Sequence, residues 1–513
     1  ITASTLPGIE LEQAKAYKVQ DDESGINKRM KALIKRLKDK EIQFSNPIWD
    51  QIVQFLEKLK SDTKPYRDWK DIALCLHEAC CTVEKLTAGL FLRWYWAQQR
   101  LLYDLAFLAA KDKNNAEKMA EISDSIKSRP SLHWKAWENL ARQDKKYETG
   151  KYETVMQLMD AERTAGYIPD MEELKGKIKG LPHPPDTLSF DKIPEGWIVV
   201  HFYLNHHEKK GYALIYNRKN GFSPWVCKDF ECSSLFHAYL AWHNAYHQAP
   251  PQQKMQAKRH LTTLCKEMGE TFGFLFDGTI APGAPVLFIP HDFLHRLPLH
   301  GAMKDGGLFL ANHNVRYLPA WSLAQQTPST PVDKDSTLLW HLEDFSNDVK
   351  DKFKNIINTP EEFHAIKNNP SLLAVACHGQ GHPVNPFDSS LKLKDNDLRH
   401  FEILNSTAKL SGTRIFLGAC ETDLVVGSPS IIDEHLSIAT AFLQREVREV
   451  LGTMWEVRKD MTEDLLNKII AAPNNMAETL WKWQKDNTNS IFYTLPFRIV
   501  GFPLNNPDPS AKH

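Results

Sequence analysis

Two short segments carry side chains whose types and spacing could do chemistry. SLLAVACHGQ delivers His378 and Gly379, and GTRIFLGACET delivers Cys420 and Glu421, the His and the Cys lying 42 positions apart. Each is an apolar run of strand length that stops at its reactive residue, and such runs read as buried parallel strands. In open α/β sheets chemistry sits beyond the carboxyl ends of the strands, so the imidazole and the thiol are expected on one rim. That pair is what thiol nucleophilic catalysis requires. The imidazole takes the thiol proton and the thiolate attacks a carbonyl. A free thiol has a pKa near about 8.5, so an adjacent imidazole is needed for a useful thiolate fraction at neutral pH. The bland alternative is that a strand-end Cys is a small apolar filler, the role assigned here to Cys377 inside the first run. Cys420 differs because a His-Gly and a Cys each end a separate strand-like run. The residues point to a cysteine peptidase that needs neither metal nor cofactor.

Neighbouring residues suggest a substrate site. Glu421 and Asp423 could select a basic P1 side chain by charge pairing, or they could cap the helix that follows the strand. Met454, Trp455 and Glu456 close the run EVLGTMWEV on the same expected rim and are candidates for the groove wall, where a peptide would bind as an added strand. A backbone carbonyl suffices to orient the imidazole, with Asp388 and Asp423 as acidic alternatives. Other constellations carry less. His291, His295 and His300 imitate a zinc-peptidase helix, but Pro290 and Pro298 flank the segment, Asp stands where Glu is needed, and VLFI before it reads as a strand. Cys75, His77, Cys80 and Cys81 lie on one expected helix with no second Cys pair at zinc-finger spacing. His201, His206 and His207 are assigned to a solvated hairpin. GSPS (427–430) is not the G-x-S-x-G of serine hydrolases.

The elements that must position these residues fall into two textures. Residues 1–176 read as successive helices, with Ile48, Ile52, Phe55, Leu56 and Leu59 forming one apolar stripe. The segment 133–162 is the best candidate for a tetratricopeptide-like unit, so a degenerate helical-repeat array is expected. The Pro- and Gly-rich stretch GKIKGLPHPPDTLSFDKIPEG ends the helices and gives a linker over 177–196. WIVVHFYL and KGYALIYN then read as a hairpin, followed by helices near 233–247 and 252–271. A second break, QTPSTPVDKD, precedes the strand LLWHLE and the stretch with both reactive residues. The fold class expected is a helical array followed by a mixed α/β sheet, divided at about 197–330 and 331–505.

Composition narrows the partners. At 513 residues the chain should hold two to four domains. With 63 basic against 64 acidic residues and no basic block, it lacks the footprint of a direct nucleic-acid binder. Eight cysteines without regular spacing argue for a reducing, cytoplasmic setting. No run of 18 apolar residues exists, so no membrane span is expected. The first residue is Ile, so the chain reads as a fragment lacking its natural N-terminus.

The C-terminal region resembles the CHAT domain, a caspase-like peptidase family commonly fused to tetratricopeptide repeats. Five ordered blocks carry the resemblance: VLFIPHDFLHRLPLHGA, NHNVRYLPAWSLA, LLAVACHGQ, LSGTRIFLGACETDLVVG and IATAFLQREVREVLGTMWEV. Gly418 stands where the family usually has Ser, and Asp423 where Gly is usual. Caspases place their His roughly 50 residues before the Cys of Q-A-C-x-G, against G-A-C-E-T here. The resemblance implies an inactive pseudo-caspase half followed by a catalytic half. It also implies an oxyanion hole built from the Gly379 and Cys420 N–H groups. More narrowly, the whole chain is similar to the TPR-CHAT proteases of type III-E CRISPR systems, which form the craspase complex. That similarity implies a partner, the RNA-guided ribonuclease effector with its crRNA, and control of proteolysis of a protein substrate by target RNA. The alternative is a catalytically silent caspase-fold scaffold that binds proteins through its helices.

Overall fold

The computed structural model describes residues 11, 13–16, 18, 22–38, 48–61, 68–84, 92–127, 193–217, 225–247, 254–324, 333–340, 345–382, 388–424 and 436–503. The repeat candidate 133–162, most of the 177–196 linker and GSPS lie outside them. The described residues fall into two compact units. One holds the helices up to residue 127 together with Asn205–Lys209, and the other holds 193–204 and the described chain from Lys210 onward.

The first unit is helical. Among the described residues it includes the helices Glu23–Lys38, Ile48–Ser61, Trp69–Glu84, Leu92–Asp112 and Ala116–Ser125. Ile52, Phe55, Leu56 and Leu59 are all buried, so the apolar stripe of the second helix is its inward face. Lys58 and Lys60 occupy its last turn, where the helix dipole favours positive charge. The last helix starts at Asn115, whose side chain accepts the Lys118 N–H at 3.0 Å, a cap whose loss costs about 1 kcal/mol. On Trp69–Glu84, Cys80 is buried while Cys75 and Cys81 are partly exposed. His77 meets the Ser125 hydroxyl at 3.0 Å.

The second unit is built on a sheet. Its strands are β1 (Ile198–Asn205), β2 (Lys210–Asn217), β3 (Trp225–Glu231), β4 (Val286–Ile289), β5 (Met303–Lys304), β6 (Gly307–Leu308), β7 (Val315–Tyr317) and β8 (Asp333–Trp340). β9 (Asn355–Ile357), β10 (Pro370–Ala376), β11 (His378–Gln380), β12 (Ser390–Lys392), β13 (Asp397–Arg399), β14 (Arg414–Leu417), β15 (Glu449–Thr453) and β16 (Phe497–Val500) follow. Eleven of them form one sheet in the order β3-β2-β1-β4-β7-β16-β15-β14-β10-β8-β9. β1, β4, β7 and β16 run parallel to one another. β15, β14, β10, β8 and β9 do likewise. The two groups meet at the antiparallel pair β15–β16 and so point in opposite directions. The carboxyl ends of β10, β14 and β15 therefore share one rim.

Burial explains why these strands are continuous apolar runs. Every residue of β10 is buried. Leu372, Ala374 and Ala376 join Phe416, Leu451, Phe497 and Ile499 in a core with Leu465, Leu466 and Ile469 of the helix Lys459–Ala471 and Leu480 and Trp483 of Met476–Asp486. Leu373 and Val375 point to the opposite face by the two-residue period and are equally buried. A sheet covered on both faces needs no polar alternation. β1 obeys the same rule, and here the structure corrects the sequence reading. His201 is buried within β1 rather than solvated, because all eight residues of that strand are covered. At the amino ends of β14 and β15, Arg414 and Glu449 are register partners joined by an Nε–Oε1 hydrogen bond of 3.1 Å. Arg316 of β7 reaches the other Glu449 oxygen at 2.5 Å.

Candidate functional site

β10 and β14 pair in parallel, with Val375 opposite Leu417, and the Gly418 N–H continues the ladder to the Val375 carbonyl at 3.0 Å. His378 and Cys420 each lie three residues beyond that pair. The chain leaves the main sheet after Ala376, where β11 pairs antiparallel with β12 in a separate three-stranded sheet with β13. The contact between the two segments is backbone on backbone. A Cβ added at Gly379 would lie 2.2 Å from the Cys420 carbonyl oxygen and 3.2 Å from both Ala419 Cβ and Thr422 Cγ2. Only glycine admits that approach. The His378 side chain is exposed and Cys420 is half-buried. Among the described residues no hydrogen bond joins the imidazole to the thiol.

The turn after β14 is held from several sides. The Thr422 and Thr453 hydroxyls lie 3.2 Å apart, the Thr453 N–H donates to Thr422 Oγ1 at 3.0 Å, and the Asp423 N–H donates to the Thr453 carbonyl at 2.7 Å. Gly452 lets β15 come this close, since a Cβ there would stand 2.8 Å from Asp423 Cβ. At Gly418 a Cβ would sit 2.8 Å from the Val375 carbonyl oxygen, so this chain has no room for the Ser usual in the resembled family. Glu421 adopts φ +56°, a left-handed conformation uncommon for a residue with a Cβ and one that concentrates at functional turns. Its carboxylate accepts the Gly381 N–H at 3.4 Å and the Tyr246 hydroxyl at 3.5 Å. The same Tyr246 oxygen accepts the Glu456 N–H at 2.8 Å.

The electrostatics hold the thiol protonated. Burial pushes the Cys420 thiol up and the Glu456 and Glu421 carboxylates add to the shift, against a hydrogen bond from the Val457 backbone that lowers it. Glu421 is itself raised, mainly by burial. Burial raises Tyr246 as well, with the Glu421, Glu456 and Cys420 charges adding to it. Cys377, fully buried, is shifted strongly upward by burial, as befits a packing residue.

The remaining expected site residues are placed as follows. Asp423 is fully buried, ion-paired with Arg498 and hydrogen-bonded by Ser437 Oγ at 2.8 Å. Its charge is already matched inside the protein, which corrects the assignment of Asp423 to a basic P1 side chain. Ser437 is the N-cap of the helix Ile438–Gln444, accepting the Thr440 N–H, so Asp423 supports that cap from outside. β15 ends at Thr453, three residues before Glu456. Met454 and Trp455 are buried, the Trp455 indole N–H donating to the Phe492 carbonyl at 2.9 Å, so neither forms the wall of an open groove, and Met454 faces only a small pocket. Glu456 alone of the three is exposed. Asp388 is half-buried just before β12. The segment Asp292–Arg296 is a short 3-10 turn, with His291 Nδ1 accepting the Leu204 N–H at 2.9 Å and His300 Nδ1 against the Tyr317 hydroxyl at 2.7 Å.

Tyr246 was missed. It lies on the helix Ser233–His247, and Tyr239, Trp242, His243, Tyr246 and His247 recur there at i, i+3, i+4, i+7 and i+8, a stripe visible in the sequence. That stripe, with Arg296, Asp423, Leu424 and Met454, lines a pocket of about 10 Å³, room for about one water.

Residues 353–478, which include His378, Cys420 and Glu456, match the CHAT domain, a family of the caspase-like clan. No curated protein matches the chain. Among solved structures the chain is similar to one of the Saccharomyces cerevisiae separase–securin complex at 10% identity and a TM-score of 0.49, covering 97% of this chain and 46% of that one. A second structure of that complex aligns at 10% identity with a TM-score of 0.46, covering 92% and 37%. The chain thus spans less than half the length of those it aligns with. Among the described residues no helix is long and apolar enough to cross a membrane.

Proposed function

We propose that the chain is a caspase-like cysteine endopeptidase that cleaves a protein substrate through Cys420 and His378. The observation that carries this reading is the backbone contact of Gly379 with Cys420, which brings the two reactive segments together at the carboxyl ends of neighbouring strands. The CHAT match across both segments supports it. In the proposed reaction His378 takes the thiol proton, the Cys420 thiolate adds to the scissile carbonyl, and the Gly379 and Cys420 N–H groups receive the oxyanion. Collapse expels the amine, protonated by His378, and water then hydrolyses the thioester with His378 as base. A missing oxyanion donor typically costs about 10²–10³ in rate.

The resting site argues for control. An upward-shifted thiol with no hydrogen bond to the imidazole is poorly prepared to attack, and a partner that draws His378 inward while relieving the carboxylates would switch it on. We assign that role to the RNA-guided type III-E CRISPR effector with its crRNA and target RNA, on the resemblance of the chain to proteases of that system. Moving a site from about 1:99 to 99:1 needs roughly 5.5 kcal/mol of differential binding. The test compares cleavage of one protein substrate by the chain alone, with effector, and with effector plus matched target RNA, each with a Cys420→Ala control. Cleavage confined to the third arm and absent from the control supports the reading. Equal rates in all three arms would leave a constitutive peptidase, and no cleavage in any would favour the scaffold.

A further inference from the structure

We propose that Tyr246 is a positioning residue for the Cys420 turn, its phenol tying the Glu421 carboxylate and the Glu456 backbone to the helix Ser233–His247. The proposal rests on the reading of Cys420 as nucleophile, and it adds a residue from outside the CHAT-matched segment. Three chain segments meet around the thiol: the turn that carries it, the loop after β15, and the β11 segment with Gly381. The Tyr246 oxygen accepts from Glu456 in the second and donates to Glu421 in the first, while Glu421 accepts the Gly381 N–H beyond β11. The hydroxyl links the first two directly, and the Glu421 carboxylate extends the link to the third. The ring is fixed independently of the hydroxyl. It stacks on Trp242 at 5.9 Å and 16°, and Trp242 meets Trp455 edge-on at 5.2 Å. A phenylalanine keeps that packing and loses only the link.

The groups facing the thiol give the direction of the effect. They are Glu421 on its own turn, Glu456 and the Val457 N–H after β15, Tyr246 on the helix, and Cys377 just after β10. The Tyr246 hydroxyl favours the charged form of Glu421, and its bond to the Glu456 N–H seats the loop that carries the second carboxylate. Losing the hydroxyl releases the Glu421 carboxylate and the Glu456 loop from where it holds them beside the thiol, so the thiol becomes easier to ionise.

The test is the pH dependence of iodoacetamide alkylation at Cys420, followed by mass spectrometry of the peptide that contains it, because the chain has eight cysteines. In Tyr246→Phe the alkylation midpoint should fall by about one pH unit. At a fixed pH below both midpoints that gives about threefold faster alkylation, since the tenfold gain in thiolate is partly offset by lower nucleophilicity. Glu421→Gln, which leaves the Tyr246 ring in place, should shift the midpoint the same way. The double variant should move it no further than the larger single shift. An unmoved or raised midpoint in either single variant, or fully additive shifts, would overturn the proposal. Alkylation needs no substrate, so the two readings fail separately. A chain that cleaves nothing can still show the shift, and a Cys420-dependent peptidase can lack it.

Discussion

Replacing Gly379 with alanine places a methyl group 2.2 Å from the Cys420 carbonyl oxygen, where a Cβ contact under 3.0 Å is not sustained. The obstruction is backbone on one side and the Ala419–Thr422 turn on the other, and that turn is tied to β15 and to Arg498, so it cannot swing aside cheaply. Relief requires the two segments to part by about 1 Å, the scale of misplacement that reduces catalysis about 10²-fold. That loss corresponds to about 2.7 kcal/mol of transition-state stabilisation. It should fall on kcat, because the segments that carry the proposed His378–Cys420 dyad and its proposed oxyanion donor are pushed apart. The assay is steady-state cleavage of one protein substrate by the activated chain, with circular dichroism to confirm the fold. If Gly379→Ala keeps more than half of wild-type kcat, the reasoning that joins these segments into one site is refuted.

Two charge pairs give further expectations. Asp423→Asn leaves Arg498 buried without its counter-charge and should destabilise the α/β unit by about 3–5 kcal/mol in urea unfolding, while Asp423→Ala with Arg498→Met should recover much of that loss. A change under about 0.5 kcal/mol in the single variant would contradict the structural role given to Asp423. Burial alone would raise the Glu449 carboxyl, but Arg316, Arg414 and Arg448 hold it below its ordinary value of 4.5. A depressed folded pKa stabilises the protein fully above the unfolded value, and that stability fades as pH falls through the folded one. The stability gap between wild type and Glu449→Gln should therefore be widest near neutral pH and shrink below about pH 4.5. A gap that stays constant with pH would show that Glu449 titrates normally.

What the sequence reveals of this molecule follows from which forces are local. β10 and β14 are legible because a strand covered on both faces is a continuous apolar run. The helical first unit is legible because its stripes keep the helical period. β11 is not, because the polar triplet His378-Gly379-Gln380 becomes a strand only by pairing with β12. Asp423 reads as a free carboxylate because its partner Arg498 lies 75 residues on and only the fold brings them together. Met454 and Trp455 read as a groove wall because the run EVLGTMWEV has no visible break. The strand stops at Thr453 because its hydroxyl and N–H turn to Thr422, while the Met454 N–H goes to the Pro496 carbonyl at 2.9 Å. Tyr246 sits 175 residues before Glu421, so the helical stripe marks its face and nothing local marks its target. Two matched strand ends mark His378 and Cys420 in the sequence, whereas the close approach of the Gly379 and Cys420 backbones is set by the fold and has no local signal.

Cys420 and His378 are proposed to act as one catalytic unit. The direct measurement is the cleavage rate of a single protein substrate by wild type, Cys420→Ala, His378→Ala and the double variant, each under the conditions in which wild type cleaves. Residues that work as a unit are non-additive, so either single change should remove essentially all cleavage and the double should be no worse than either. Substantial cleavage by Cys420→Ala, or independent partial losses at the two positions that multiply in the double variant, would contradict the account.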